Sequence, residues 1–111
     1  LKILICGGRD FNDYVKLEDT LNQIEGRFTI ISGAAKGADT LAIQYAKQYG
    51  NPVKIYPANW DLYGKAAGLI RNQQMLDHEH PDLVIAFPGG RGTAHMKRIA
   101  REAAVEVREI T

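Results

Sequence analysis

Three short stretches carry the residue types that hold anions: Gly7-Gly8-Arg9-Asp10, Gly33-Ala34-Ala35-Lys36-Gly37-Ala38-Asp39 and Pro88-Gly89-Gly90-Arg91-Gly92-Thr93. Glycine lets backbone amides come close to a bound anion. A helix opening just after such a turn presents unpaired N–H groups and the positive end of its dipole. That is the chemistry of a phosphate site. The plainer role of each glycine pair is a tight strand-to-helix turn, and one loop alone does not choose between the two. Three such loops in one chain favour a ligand pocket. Arg9, Lys36, Arg91 and Arg71 add positive charge beside them, although the formal net charge is only +1. A surface lysine or arginine is ordinary. Arg71 differs, because it stands among small and apolar neighbours in Gly68-Leu69-Ile70-Arg71-Asn72 and is expected to pair with the anion.

Established nucleotide motifs do not fit these loops. The second lacks the Gly-Lys-Ser/Thr ending of a P-loop, the others lack the full G-x-G-x-x-G spacing, and Ser32 stands where a ribose-binding acid would be expected. Cys6 has no histidine near it in sequence and reads as a small buried hydrophobe. His78, His80 and His95 form no metal-ligand pattern, and no Ser-His-Asp order or paired-carboxylate motif stands out. No metal and no cofactor are expected. Asp10 and Asp39 are the carboxylates a reaction in the pocket would draw on. Tyr56, Trp60 and Tyr63 cluster in one segment, where they would stack on a base, pin the loop to the domain or line a subunit contact.

These loops need a frame that brings them together. Lys2 to Cys6, Thr29 to Ser32, Val53 to Tyr56, Leu83 to Phe87 and Val105 to Ile110 read as strands, the first, second and fourth being nearly continuous apolar runs. Between them lie four helical stripes: Tyr14-Leu17-Leu21-Ile24; Leu41-Ala42-Tyr45-Ala46-Tyr49; Ala66-Leu69-Ile70-Met75; and Met96-Ile99-Ala100-Ala103. Such alternation predicts right-handed βαβ crossovers in a Rossmann-like, three-layer, doubly wound α/β fold of strand order 3-2-1-4-5. All three glycine-rich loops then leave the carboxyl ends of strands, where ligands bind in this architecture.

The 111 residues are expected to form one domain, 1–111. A hydrophobic share of 45% with 24% charged residues, and no long apolar run, argue against a membrane role. The near-neutral charge excludes a uniformly basic nucleic-acid-coating surface. The single cysteine leaves no internal disulfide, and no secretory signal pattern precedes the first strand; a cytoplasmic protein is expected.

Five ordered motifs give the chain a family likeness: Gly7-Gly8-Arg9-Asp10-Phe11, Ser32 to Asp39, Tyr56-Pro57-Ala58-Asn59-Trp60, Ala67 to Asn72 with Met75, and Phe87 to Thr93. Together they resemble the YspA-type, cpYpsA-related branch of the SLOG superfamily, whose members bind nucleotides or nucleotide-derived ligands. The resemblance implies a phosphate held by Gly89, Gly90, Gly92 and Thr93 beside Arg91. Gly7, Gly8, Arg9, Ser32, Gly33, Lys36 and Gly37 would line the other wall, with Asn72 beside Arg71. It also implies a homodimer.

Two relatives pull in different directions. The LOG phosphoribohydrolases, which release the base from a nucleoside monophosphate, carry a similar Pro-Gly-Gly-x-Gly-Thr-x-x-Glu motif and an arginine four residues before a methionine. Arg71, Met75 and Pro88 to Thr93 match, but Met96 stands where the glutamate belongs. A thioether cannot stabilise the cationic state of glycosidic cleavage, so catalysis would fall to Arg71 with Asp39 or Asp10. DprA, a binder of single-stranded DNA, has a loop similar to Ser32–Asp39 and an Arg-Asn pair like Arg71-Asn72. A strand requires a longer basic groove, which ranks DNA below a small ligand.

Overall fold

The computed structural model describes residues 1–111. Strands β1 (Lys2–Cys6), β2 (Thr29–Ser32), β3 (Val53–Ile55), β4 (Leu83–Ala86) and β5 (Glu106–Glu109) form one sheet in the order β3-β2-β1-β4-β5, and every neighbouring pair is parallel. Helices α1 (Tyr14–Asn22), α2 (Ala38–Tyr49), α3 (Trp60–Tyr63), α4 (Ala67–Glu79) and α5 (Arg91–Glu102) connect them, with a 3-10 turn over Gly64–Ala66 between α3 and α4. The fold is the Rossmann-like α/β arrangement that the alternating pattern predicts.

The apolar runs form strands because successive side chains leave a strand on opposite faces and both faces here are covered. Ile3, Ile5, Ile30 and Ile85 pack on one face against Leu17 and Leu21 of α1 and Ala42 and Tyr45 of α2. On the other face, Leu4, Ile31 and Val84 meet Met75 and Leu76 of α4 and Met96 and Ile99 of α5. The edge strands β3 and β5 are mostly exposed, as their mixed composition requires. No helix is long and apolar enough to cross a membrane.

Small differences from the sequence pattern have local causes. Tyr56, Phe87 and Ile110 fall just outside the strands, yet each amide extends the ladder by one bond, to Ser32 O, Cys6 O and Ala86 O respectively. The predicted stripe of α4 is displaced: its buried residues are Ala67, Asn72, Met75, Leu76 and Glu79, while Leu69 is exposed. Two of these are polar, and both are bonded internally, so apolar spacing alone misses this face. On α5, Thr93 joins Met96, Ile99 and Ala100, whereas Ala103 caps the helix end instead of packing.

This topology fixes where a ligand can sit. β1 and β4 are neighbours, but β1 leads to α1 on one face and β4 leads to α5 on the other. Their carboxyl ends therefore diverge and leave a crevice between them.

Candidate functional site

The crevice is a cleft of about 770 Å³. One wall is the loop after β1, Gly7 to Asn12; the facing wall is Pro88 to Thr93, which opens α5. Trp60, Lys65, Gly68 and Arg71 close it from the α3–α4 side, and Cys6, Asp39 and Met75 form its base. Four cationic side chains, Arg9, Lys65, Arg71 and Arg91, border it against two carboxyl groups, Asp10 and Asp39.

The two walls touch where glycine permits it. Gly8 N–H donates to Pro88 O at 2.8 Å. A Cβ added to Gly89 would lie 2.6 Å from Gly8 N and 2.9 Å from Thr93 Cβ, so no side chain fits there. The first helical bond at this end runs from Ala94 N–H to Gly90 O at 3.0 Å. The amides of Arg91, Gly92 and Thr93 therefore precede the hydrogen-bonded turns and remain free to bind an anion.

Arg71 is half-buried and partly committed inside the protein. Its Nη1 donates to Gly33 O at 2.5 Å and to Tyr56 O at 3.5 Å, and Nε donates to Asn72 Oδ1 at 3.0 Å. Nη2 makes no bond within the chain. Burial lowers the guanidinium's pKa, opposed by the nearby Asp39 carboxylate and assisted by Arg9. Asn72 is the hub of this arrangement: Nδ2 donates to Gly92 O at 3.2 Å and lies 3.1 Å from His95 Nδ1. Since the amide nitrogen can only donate, His95 accepts at Nδ1 and carries its proton on Nε2. Burial lowers the His95 pKa, which favours that neutral form.

Asp39 opens α2 and is 6% exposed. Its Oδ2 accepts from Ala35 N–H at 3.2 Å. Burial raises its pKa to about 6, against the lowering pull of that amide and of Arg71. The Cys6 thiol beside it is pushed up to about 12, by burial first and by Asp39 second. At neutral pH it is a protonated thiol, in keeping with a packing role.

The structure divides the residues singled out by sequence. Gly7, Gly8, Arg9, Asp10, Asp39, Arg71, Asn72, Gly89, Gly90, Arg91, Gly92 and Thr93 all border the cleft. Ser32, Gly33, Lys36 and Gly37 do not. Ser32 is fully buried, donating to Asp39 O at 2.9 Å and accepting from Ala34 N–H at 3.2 Å. Gly33 is the seat of Arg71, since a Cβ there would stand 2.5 Å from Nη1. Gly37 has φ of +92° and lies under the first loop, where a Cβ would come within 2.7 Å of Arg9 O. These parts of the second loop thus brace the site from behind, while its Ala35 and Asp39 line the cleft. Lys65 and His95 were not apparent from motifs. Lys65 lies in the 3-10 turn and borders the cleft, whereas His95, on α5, lies outside its lining and reaches Asn72. His78, His80 and His95 do not converge, and no three His, Cys, Asp or Glu side chains gather where a metal ion could bind. Met96 is fully buried among Leu4, Cys6, Val84 and Met75, so the position of the LOG glutamate faces the core.

A parallel sheet with a glycine-rich, cation-lined cleft at its switch point defines an α/β domain of the Rossmann-like class. The chain belongs to the YspA, cpYpsA-related SLOG family, whose profile matches residues 1–63. It is also 34% identical, over 117 aligned positions, to the "Gene 61 protein" of Mycobacterium phage D29, a match taking in 96% of this chain and 93% of that protein.

Proposed function

We propose that the cleft binds a nucleotide or nucleotide-derived ligand through its phosphate. The phosphate lies against the free amides of Arg91, Gly92 and Thr93 and meets the Nη2 edge of Arg71, which Gly33 and Asn72 hold in place. The observation that carries this reading is the convergence of that amide turn with four cationic side chains on one cleft. Membership of the SLOG family supports it. A pocket of this size suits a nucleotide-sized ligand.

Titration calorimetry with nucleoside monophosphates tests the proposal. Wild-type protein binds at least one of them, and Arg71→Ala weakens that binding by about 1.5–3 kcal/mol, the range of a charge-assisted hydrogen bond. Because Arg71 also braces Gly33 and Asn72, the variant loses stability as well, so the titration is run well below its melting temperature. Failure of every nucleotide to bind wild type contradicts the proposal. Unchanged affinity in the folded variant removes Arg71 from the site.

One observation favours a second reading, hydrolysis of the N-glycosidic bond. Asp39 places a carboxyl of pKa about 6 at the base of the cleft, near the pH range where proton transfer is most effective. In that reading water adds at the sugar carbon, the bond to the base breaks, and Asp39 transfers the proton. Chromatography of nucleoside monophosphates incubated with the protein decides it: release of free base that is lost in Asp39→Asn, with binding retained, establishes a hydrolase.

A further inference from the structure

Trp60 is the chain's one tryptophan, and it borders the cleft while half of its surface stays exposed, at 49%. It opens α3, whose start is fixed by Asn59 Oδ1 accepting from Leu62 N–H at 3.1 Å. The indole abuts α4: a Cβ at Gly68 would meet its Cη2 at 3.5 Å and its Cζ2 at 4.0 Å, so the outer edge of its six-membered ring rests against that glycine. Across from it, the Arg9 guanidinium carbon stands 5.9 Å from the ring centroid, within reach of a cation–π interaction. Both side chains border the same cleft as the Gly89–Thr93 turn.

An exposed indole facing a guanidinium across a cleft suits a flat aromatic group. A planar base between them needs two stacking separations, about 7 Å in all. The observed 5.9 Å falls short by about 1 Å. Arg9 is exposed, so a change of side-chain rotamer opens the gap without disturbing the backbone.

We propose that Trp60 and Arg9 form the base subsite: the nucleobase lies on the indole under Arg9, with its phosphate directed to the Gly89–Thr93 turn. This inference rests on the proposed function and narrows it to nucleotides with an aromatic base, as against sugar phosphates. Stacking accepts every base, because each presents a π-face. Selection at Trp60 is therefore for the presence of a base, with purines favoured by their larger overlap.

The test compares AMP with ribose 5-phosphate, which keeps the phosphate and lacks the base. In wild type, AMP quenches the fluorescence of Trp60 and binds about 10-fold or more tightly than ribose 5-phosphate, as expected for one stacked base. In Trp60→Leu, followed by calorimetry after circular dichroism confirms folding, that advantage collapses while the affinity for ribose 5-phosphate holds. Trp60→Phe restores most of it. AMP binding that leaves the fluorescence unchanged, with the advantage intact in Trp60→Leu, overturns the subsite but leaves the proposed function standing. Binding of neither compound to wild type overturns both.

Discussion

Asp39 shows how one residue links the fold to the cleft. Its carboxyl holds the second glycine loop through Ala35 N–H, while burial lifts its pKa from 3.8 to about 6. The sign of the pH effect follows. Between those two values the folded chain binds more protons than the unfolded one, so this contribution to stability is present below about pH 4 and is lost as pH rises through about 6. Asp39→Asn keeps an oxygen acceptor for Ala35 and cannot ionise. Relative to wild type, the variant gains up to about 3 kcal/mol between pH 4 and pH 7. Urea denaturation midpoints at the two pH values measure the gain, and parallel behaviour of the two proteins would refute the buried carboxyl. Little of this was legible beforehand: the sequence marks Asp39 as a pocket carboxylate, but its burial depends on how closely α2 packs beneath β1. Arg71 was legible from its small and apolar neighbours. Its bond to Gly33 was not, because 38 residues separate the two.

At the scale of elements, glycines decide how close the loops come. Gly89 lies between Gly8 N and Thr93 Cβ, and neither the backbone nor a β-branched residue in a helical first turn can retreat. Gly90 has no atom near its missing side chain. The adjacent substitutions should therefore diverge. Gly89→Ala destabilises by about 1–3 kcal/mol through overpacking, while Gly90→Ala stays within about 0.5 kcal/mol of wild type. Thermal melts of both variants check this, and equal losses would mean that the wall-to-wall contact is absent. The tight turn from Pro88 to Thr93 into α5 is legible from sequence alone, since its glycines and the helix start are local; its reading as a phosphate turn belongs to the proposal. The second loop reads the same way, yet its Ser32, Gly33 and Gly37 serve the packing of Asp39, Arg71 and the first loop. Motif resemblance identifies a tight backbone approach without saying whether a ligand or another part of the chain approaches. The buried face of α4 departs from its apolar spacing for a related reason, because Asn72 and Glu79 are buried through hydrogen bonds that a hydrophobic pattern ignores.

Over the whole molecule, a formal charge of +1 coexists with a cleft bordered by four cations and two carboxyl groups. The positive charge is local, as the proposed binding of one phosphate requires. The central place of β1, β2 and β4 was legible because they are nearly continuous apolar runs and β3 and β5 are not. The cleft's third side was legible only in part: base stacking was one reading of the Trp60 segment, but the short helix and 3-10 turn that bring Trp60 and Lys65 to the cleft, beside Gly68 of α4, carry no periodicity. A crystal structure grown with a nucleoside monophosphate at millimolar concentration tests phosphate binding in the cleft directly. The phosphate is expected within hydrogen-bonding distance of the Arg91, Gly92 and Thr93 amides and of Arg71 Nη2. A nucleotide bound elsewhere, with the Gly89–Thr93 turn empty, would contradict that expectation.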